Sequence, residues 1–251
     1  MAENYVQGNK LYIAGRDFSS NWTAISLMVG RETIDWTKGS DTTRLMKPGL
    51  KTGAFECEGV TDFADDATDE KLAAFLDLSD APIIIGFPGS TSGDIGTTGY
   101  AMNANAGDYS PMGQRIGERV NFSVSARSDS QIARGTFLHD GDTARTTTAN
   151  GTAYNLGAVS ATQRVFACIQ CLSASAGDTL DVVIASDSVE AFSGTPETQI
   201  TFAQISTTGA FEWVELTETI TDTWWRPQWT IAGNGSESFN FVVFFAICNA
   251  S

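Results

Sequence analysis

Histidine is nearly missing from this 251-residue chain, which holds one, and cysteine is scarce at four. Four scattered cysteines are too few for a disulfide scaffold. A single histidine, with no serine in a GxSxG setting, leaves little for acid–base or nucleophilic catalysis. Basic residues are also short, with 15 Lys and Arg against 30 Asp and Glu, a formal charge of −15. A surface built to grip nucleic acid is basic, so that class is excluded. No apolar run reaches the roughly 18–20 residues of a membrane span, and Met1-Ala2-Glu3-Asn4-Tyr5 lacks the charged-then-apolar opening of a signal peptide. What remains is ample for folding: 42% hydrophobic and 10% aromatic residues rule out wholesale disorder.

The residues that carry chemistry elsewhere read here as structure. Cys168 and Cys171 have CxxC spacing inside an apolar run, where a separation of three points the two sulfurs to opposite sheet faces. No second pair and no nearby histidine completes a zinc tetrahedron, so they read as core residues. His139 sits in Leu138-His139-Asp140-Gly141-Asp142, a turn composition that lacks the third ligand and closing Glu of a calcium loop. Gly89, Gly93, Gly96 and Gly99 punctuate a loop with no Lys at the phosphate-binding position. Glycosylation motifs at Asn21, Asn150, Asn234 and Asn249 arise easily by chance in so Asn-, Ser- and Thr-rich a chain. Neither a metal nor a cofactor is expected, and no enzymatic activity.

Short alternating runs broken by Gly, Asn, Asp and Ser make this a mainly β chain. Val120, Phe122 and Val124 face one way and Asn121, Ser123 and Ser125 the other; Phe55 and Cys57 alternate with Glu56 and Glu58. Pro82–Phe87 reads as a fully buried strand. One helix is predicted, with acids in its first turn (Asp65 to Glu70) and a stripe at Leu72, Phe75, Leu76 and Ser79. The composition turns polar between residues 137 and 155, which predicts a boundary at 140/141. Beyond it, runs at 165–172, 180–185, 200–205, 211–216, 224–231 and 239–248 predict a β-sandwich. The last, apolar on both faces, should be a central strand, and Pro227 points to an edge or a bulge.

Acids are concentrated. Residues 53–94 hold ten against the single base Lys71, either a solvated face or a surface that repels phosphate. The segment from Lys38 to Lys51 is the opposite, with Lys38, Arg44, Lys47 and Lys51 against Asp41. It reads as a contact loop reaching an acidic neighbour, or as ordinary solvation.

Residues 33–63 carry a family likeness. Asp35, Thr37, Gly39, Asp41, Arg44, Pro48, Gly49, Leu50, Gly59 and Asp62 stand in the order of a strand ending in Asp-x-Thr, a Gly-Asp loop with an Arg, Pro-Gly-Leu, a strand, and Gly-x-x-Asp. This pattern resembles that of long-tailed (siphovirus-type) bacteriophage major tail proteins, the tail tube subunits. The resemblance implies residues 1–140 as a tail-tube-type β-barrel or sandwich with one flanking helix, and 141–251 as an outer β-sandwich, where residues 179–184 and 223–226 carry a weaker likeness. It further implies a virion protein, assembled in the host cytoplasm, that forms stacked, usually hexameric rings around a tape measure protein. Its other partners would be tail tip and head–tail connector proteins, with DNA passing through unbound. Pro48, Gly49 and their charged neighbours would then make ring or stacking contacts, and Glu56 and Glu58, which stand where relatives more often have Ser or Thr, would face the lumen or the outside solvent. The alternative is a virion decoration or host-glycan-binding protein. For that reading Trp224, Arg226 and Gln228, which alternate with the core-facing Trp225 and Trp229, form the candidate glycan or partner face.

Overall fold

The computed structural model describes residues 9–86, 95–113 and 115–249. The opening pentapeptide, Phe87, Gly89 and Gly93 lie outside these. In chain order the elements are β1 Lys10–Ile13, β2 Arg16–Asp17, β3 Trp22–Asp35, β4 Met46–Val60, α1 Thr68–Leu76, β5 Ala81–Gly86, β6 Thr98–Ser110, β7 Asn121–Ser128 and β8 Ala133–His139. Then follow β9 Ala149–Asn150, β10 Tyr154–Asn155, β11 Gln163–Ala174, β12 Thr179–Asp187, β13 Glu197–Thr201, β14 Phe211–Leu216, β15 Trp224–Ala232 and β16 Phe239–Asn249. The chain is mainly β with one helix, as its alternation predicts. Five of the six runs expected beyond residue 160 form strands; of the run at 200–205 only Ile200 and Thr201 do, at the end of β13.

Two compact units divide the chain, one of residues 1–20, 81–101 and 133–250, the other essentially of 21–80 and 102–132. They do not coincide with the expected division into 1–140 and 141–251. The reason is strand pairing across long sequence separations. β8 hydrogen-bonds to β16, and β1 pairs with β5, so these early segments group with the late ones.

In the larger unit β14, β11, β16 and β8 lie side by side, and β10, β15, β12 and β13 form a second sheet with β9 also on β15. One core joins Val165, Ala167, Ile169 and Cys171 of β11 and Phe239, Phe241 and Phe245 of β16 to Leu180, Val182, Ile184, Trp225 and Trp229. A second core uses the opposite faces of the same strands, with Phe166, Cys168, Val242 and Phe244 against Tyr12, Ile84 and Phe137. β16 is therefore buried on both sides and flanked by β11 and β8, the central position its composition predicts. Cys168 and Cys171 fall in different cores, as their spacing requires. β15 is not an edge strand. The ladder on one side of it breaks at Pro227, however, between pairing with β10 at Trp224 and Trp225 and with β9 at Gln228 and Trp229. A residue without an N–H is tolerated at such a gap.

His139 ends β8 fully buried rather than lying in the turn. Its Nδ1 donates to the Phe241 carbonyl at 2.8 Å, and its Nε2 accepts from Arg145 Nε at 2.7 Å. A carbonyl can only accept and a guanidinium can only donate, so the partners dictate this neutral tautomer. The ring stacks on Phe241 at 4.1 Å with planes 7° apart.

In the smaller unit β4 runs between β3 and β7, and β7 pairs with the later part of β6. The helix is shorter than its stripe predicts. It ends at Leu76, so Leu76 and Ser79 are exposed and only Thr68, Leu72 and Phe75 are buried. Two hydrogen bonds tie it to the unit, from Asn21 Nδ2 to Thr68 Oγ1 at 3.0 Å and from Tyr109 Oη to Asp69 Oδ1 at 2.7 Å.

Candidate assembly surfaces

The expected contact loop is mostly strand. β3 and β4 pair from Trp22↔Gly59 out to Asp35↔Met46, so Lys47, Pro48, Gly49 and Lys51 lie within β4, and only Lys38, Asp41 and Arg44 lie in the connecting turn. Pro48 fits because β7 stops pairing at Ala54, leaving this half of β4 with β3 as its one partner strand. Gly49 sits opposite a register irregularity between Arg31 and Thr33, and a Cβ there would stand 2.9 Å from Cβ of Glu32. Beyond Ala54 the two strands run on as a ribbon of six residue pairs and one register irregularity, which over residues 46–53 of β4 is roughly 25 Å at the usual rise per strand residue.

The turn at the ribbon's tip is organised by the residues that carry the family pattern. Asp35 accepts from Thr37 Oγ1 at 2.5 Å, from the Thr37 amide at 3.0 Å and from Arg44 Nε at 2.8 Å. These bonds, the Thr37 hydroxyl foremost, hold its carboxyl below the usual carboxylate range. Asp41 accepts from the Lys38 amide at 2.7 Å, and Thr37 Oγ1 accepts from the Leu45 amide at 2.9 Å. Lys47 Nζ lies 4.3 Å from the centre of the Trp36 ring. Arg44 is thus matched within the turn, and Lys51 donates to Gln131 at 2.9 Å.

A property that charge counting overlooks dominates the ribbon. Met28, Val29, Ile34, Trp36, Leu45, Met46 and Leu50 are all exposed, Leu50 to 78%. A two-stranded ribbon has no second layer to cover either face, so every apolar side chain on it meets water. The signal was present in Thr33-Ile34 and Leu45-Met46, but it becomes readable only once β4 is known to lack a partner there.

Glu56 and Glu58 alternate outward from Phe55 and Cys57, as expected. Glu56 stands between Ser26 and Ser125, and Glu58 between Ala24 and Ser123. The result is a face of short side chains with two carboxylates at its centre, backed by Phe55, Cys57, Phe122 and Val124.

Trp224, Arg226 and Gln228 do share one face of β15, each half-buried. Arg226 is occupied, its guanidinium 3.9 Å from the centre of the Phe192 ring. Turned to satisfy both ends of its amide, Gln228 accepts from Arg226 Nε at 3.1 Å and Nη2 at 2.9 Å. Beside Gln228 lies an open cleft of about 310 Å³ lined by Thr148, Asn150, Asp181, Val183 and Thr230 among others. Among the described residues, no three His, Cys, Asp or Glu side chains converge as metal ligands, and no helix is long and apolar enough to cross a membrane.

No protein family and no curated protein matches the sequence. Solved structures do resemble it in part. A chain from the virion of a native gene transfer agent particle shares 15% identity over 53% of this chain and 98% of its own, with a TM-score of 0.40. The sheath/tube terminator of an extracellular contractile injection system in its extended state shares 10% identity over 53% of this chain and 97% of its own, with a TM-score of 0.43. The Dit protein of SPP1, described as a hub adsorption apparatus of phages infecting Gram-positive hosts, covers 95% of this chain at 7% identity with a TM-score of 0.35.

Proposed function

We propose that this chain is a structural subunit of a long-tailed phage tail, polymerising as stacked rings into a tube that encloses a tape measure protein and conducts DNA. The observation that carries the reading is the ribbon of β3 and β4. It leaves seven large apolar side chains in water on a two-stranded element, a state that burial against another copy would relieve. Its tip is shaped by Asp35, Thr37, Asp41 and Arg44, the residues in which the sequence resembles tail tube subunits. On this reading the ribbon, with Lys38, Lys47, Pro48, Gly49 and Lys51, makes the ring or stacking contacts. Glu56 and Glu58 face the lumen, and residues 141–251 supply the outer domain.

An acidic lumen suits a conduit. Duplex DNA carries one charge per roughly 1.7 Å of axis, so a basic wall would hold it by counterion release and an acidic one lets it move.

The test is negative-stain electron microscopy of the purified chain, with size-exclusion chromatography at rising concentration. Rings or hollow tubes of uniform diameter are expected from the wild type, and a shift to monomer from the double variant Met28→Asp, Leu50→Asp. Assembly that survives this pair would remove the ribbon from the interface. Monomers from the wild type at every concentration would favour the decoration reading instead.

A further inference from the structure

Two of the glycosylation motifs are also Asn-Gly pairs, Asn150-Gly151 and Asn234-Gly235. With no side chain on the second residue, its backbone nitrogen can swing onto the side-chain carbonyl carbon of the asparagine. That nitrogen is a nucleophile and the amide group a leaving group, so such a pair carries a reaction within itself. Whether it proceeds depends on the backbone. Closing the ring requires the two residues to turn out of any extended, hydrogen-bonded conformation.

Both asparagine side chains are exposed, and the two backbones differ. Asn150 ends β9, where it pairs with Gln228 while Ala149 pairs with Trp229. The Gly151 amide donates to the Pro227 carbonyl at 2.8 Å, and a Cβ on Gly151 would stand 2.6 Å from Cγ of that proline. This glycine is backed against a ring and held in the sheet. Asn234 lies instead in the turn between β15 and β16. Its own amide donates to Oδ1 of Asp178 at 3.2 Å, and Asp178 is 2% exposed and also accepts from Ser175 Oγ at 2.5 Å, so the entry to the turn is pinned. Past that point the turn is open. Gly235 is exposed with φ +95°, and no atom lies within 4 Å of where its Cβ would be. Its amide donates to Glu237 Oε1 at 2.8 Å, a half-exposed side chain that water replaces without any movement of the backbone.

We propose that Asn234 is a site of spontaneous deamidation, and that Asn150, with the same dipeptide, is protected by the pairing of β9. The Gly235 nitrogen bonds to Cγ of Asn234. The bond from Cγ to Nδ2 breaks, and Nδ2 leaves as ammonia with the proton given up by the glycine nitrogen. Water then opens the cyclic imide. Breaking the new bond to Cγ gives aspartate; breaking the bond to the backbone carbonyl carbon gives isoaspartate, with the chain continuing through the side chain. Either product adds a carboxylate beside Asp178 in a chain already at −15, and like charges there loosen the anchor of the turn. Isoaspartate also lengthens the main chain between β15 and β16. For Asn150 to follow, β9 must part from β15. That opening costs at least a backbone hydrogen bond and its packing, about 1.4 kcal/mol, which slows the reaction about tenfold.

The test is peptide mass spectrometry of the full-length chain aged at mildly alkaline pH, both native and in guanidinium chloride. In the native protein the peptide carrying Asn234 should gain the mass of an amide turned acid at least about tenfold faster than the one carrying Asn150, with isoaspartate among its products. The Asn234→Gln variant, whose longer side chain would have to close a larger ring, should lose the acidic species that anion exchange resolves from the ageing wild type. In denaturant, with β9 gone, the two sites should react at similar rates, a readout that needs no variant to fold. An inert Asn234, equal native rates, or acidic species that persist in Asn234→Gln overturn the site. A gap that survives in denaturant overturns the protection by β9, because the sequence around each pair would then set the difference.

Discussion

Acid should unfasten the larger unit through His139. Burial pushes the imidazole down from 6.5 to about 4, reinforced by the positive Arg145 and opposed by the Phe241 carbonyl that accepts from the ring. Because the folded value lies below the unfolded one, the unfolded chain binds the proton first. The stabilisation from keeping this ring neutral is complete above about pH 6.5 and is lost as the pH falls from there towards 4. Each unit of pKa difference is worth about 1.4 kcal/mol, so the loss amounts to about 2 kcal/mol by pH 5 and approaches 3 near pH 4. Two carboxyls shift in the opposite sense. Burial raises the Asp140 carboxyl, and burial and Asp80 together raise Asp129, so both lend stability as the pH falls. Subtracting a non-titrating variant isolates the histidine. His139→Gln keeps an N–H for Phe241 and an acceptor for Arg145, at a cost in stacking that does not vary with pH. The assay is urea unfolding between pH 7 and 4.5 followed by tryptophan fluorescence, since Trp213, Trp224, Trp225 and Trp229 all lie in the larger unit. The wild type should lose about 2 kcal/mol relative to the variant by pH 5. Stability curves that stay parallel across the range would refute the argument.

Three further outcomes follow from the same structure. Trp225→Ala removes a fully buried indole whose Nε1 donates to the Gly157 carbonyl at 2.9 Å, and should cost about 3–5 kcal/mol, read as a lower urea midpoint. Cys57, Cys168 and Cys171 are buried and burial raises their thiols, to about 12 for Cys57 and about 11 for Cys171, so Ellman's reagent should label only the half-exposed Cys248 quickly; fast labelling of two or more thiols in the native protein would contradict the cores described. If the proposed conduit reading holds, reversing Glu56 and Glu58 to Lys should leave tube assembly intact while slowing or blocking genome ejection, and unchanged infectivity would place that face away from the DNA.

What the sequence reveals is whatever leaves a local trace. Alternation and turn residues suffice for the strands after residue 160, for the double-sided burial of β16 and for the divergence of Cys168 from Cys171. The same alternation turns Glu56 and Glu58 outward and puts Trp224, Arg226 and Gln228 on one face. Pairing between distant segments leaves no such trace. That β1 and β5 group with the late strands follows from partners tens of residues away, and so does the strand character of Lys47 to Lys51, where Pro48 and Gly49 mimic a turn. The exposure of Leu50 and Trp36 depends on the absence of a third strand beside the ribbon.

The central position of β16 also governs the order of events during synthesis. Both cores of the larger unit contain its side chains, and one of them waits from Ile84 to Phe244, about 160 residues of translation. At about 5–20 residues per second that is roughly 8–30 seconds during which Tyr12, Ile84 and Phe137 have no finished core to enter. The ribbon's strands leave the ribosome long before then. A nascent chain therefore presents its sticky element early and its stable body late, so a chaperone's binding window on the larger unit should close when residues 239–249 emerge.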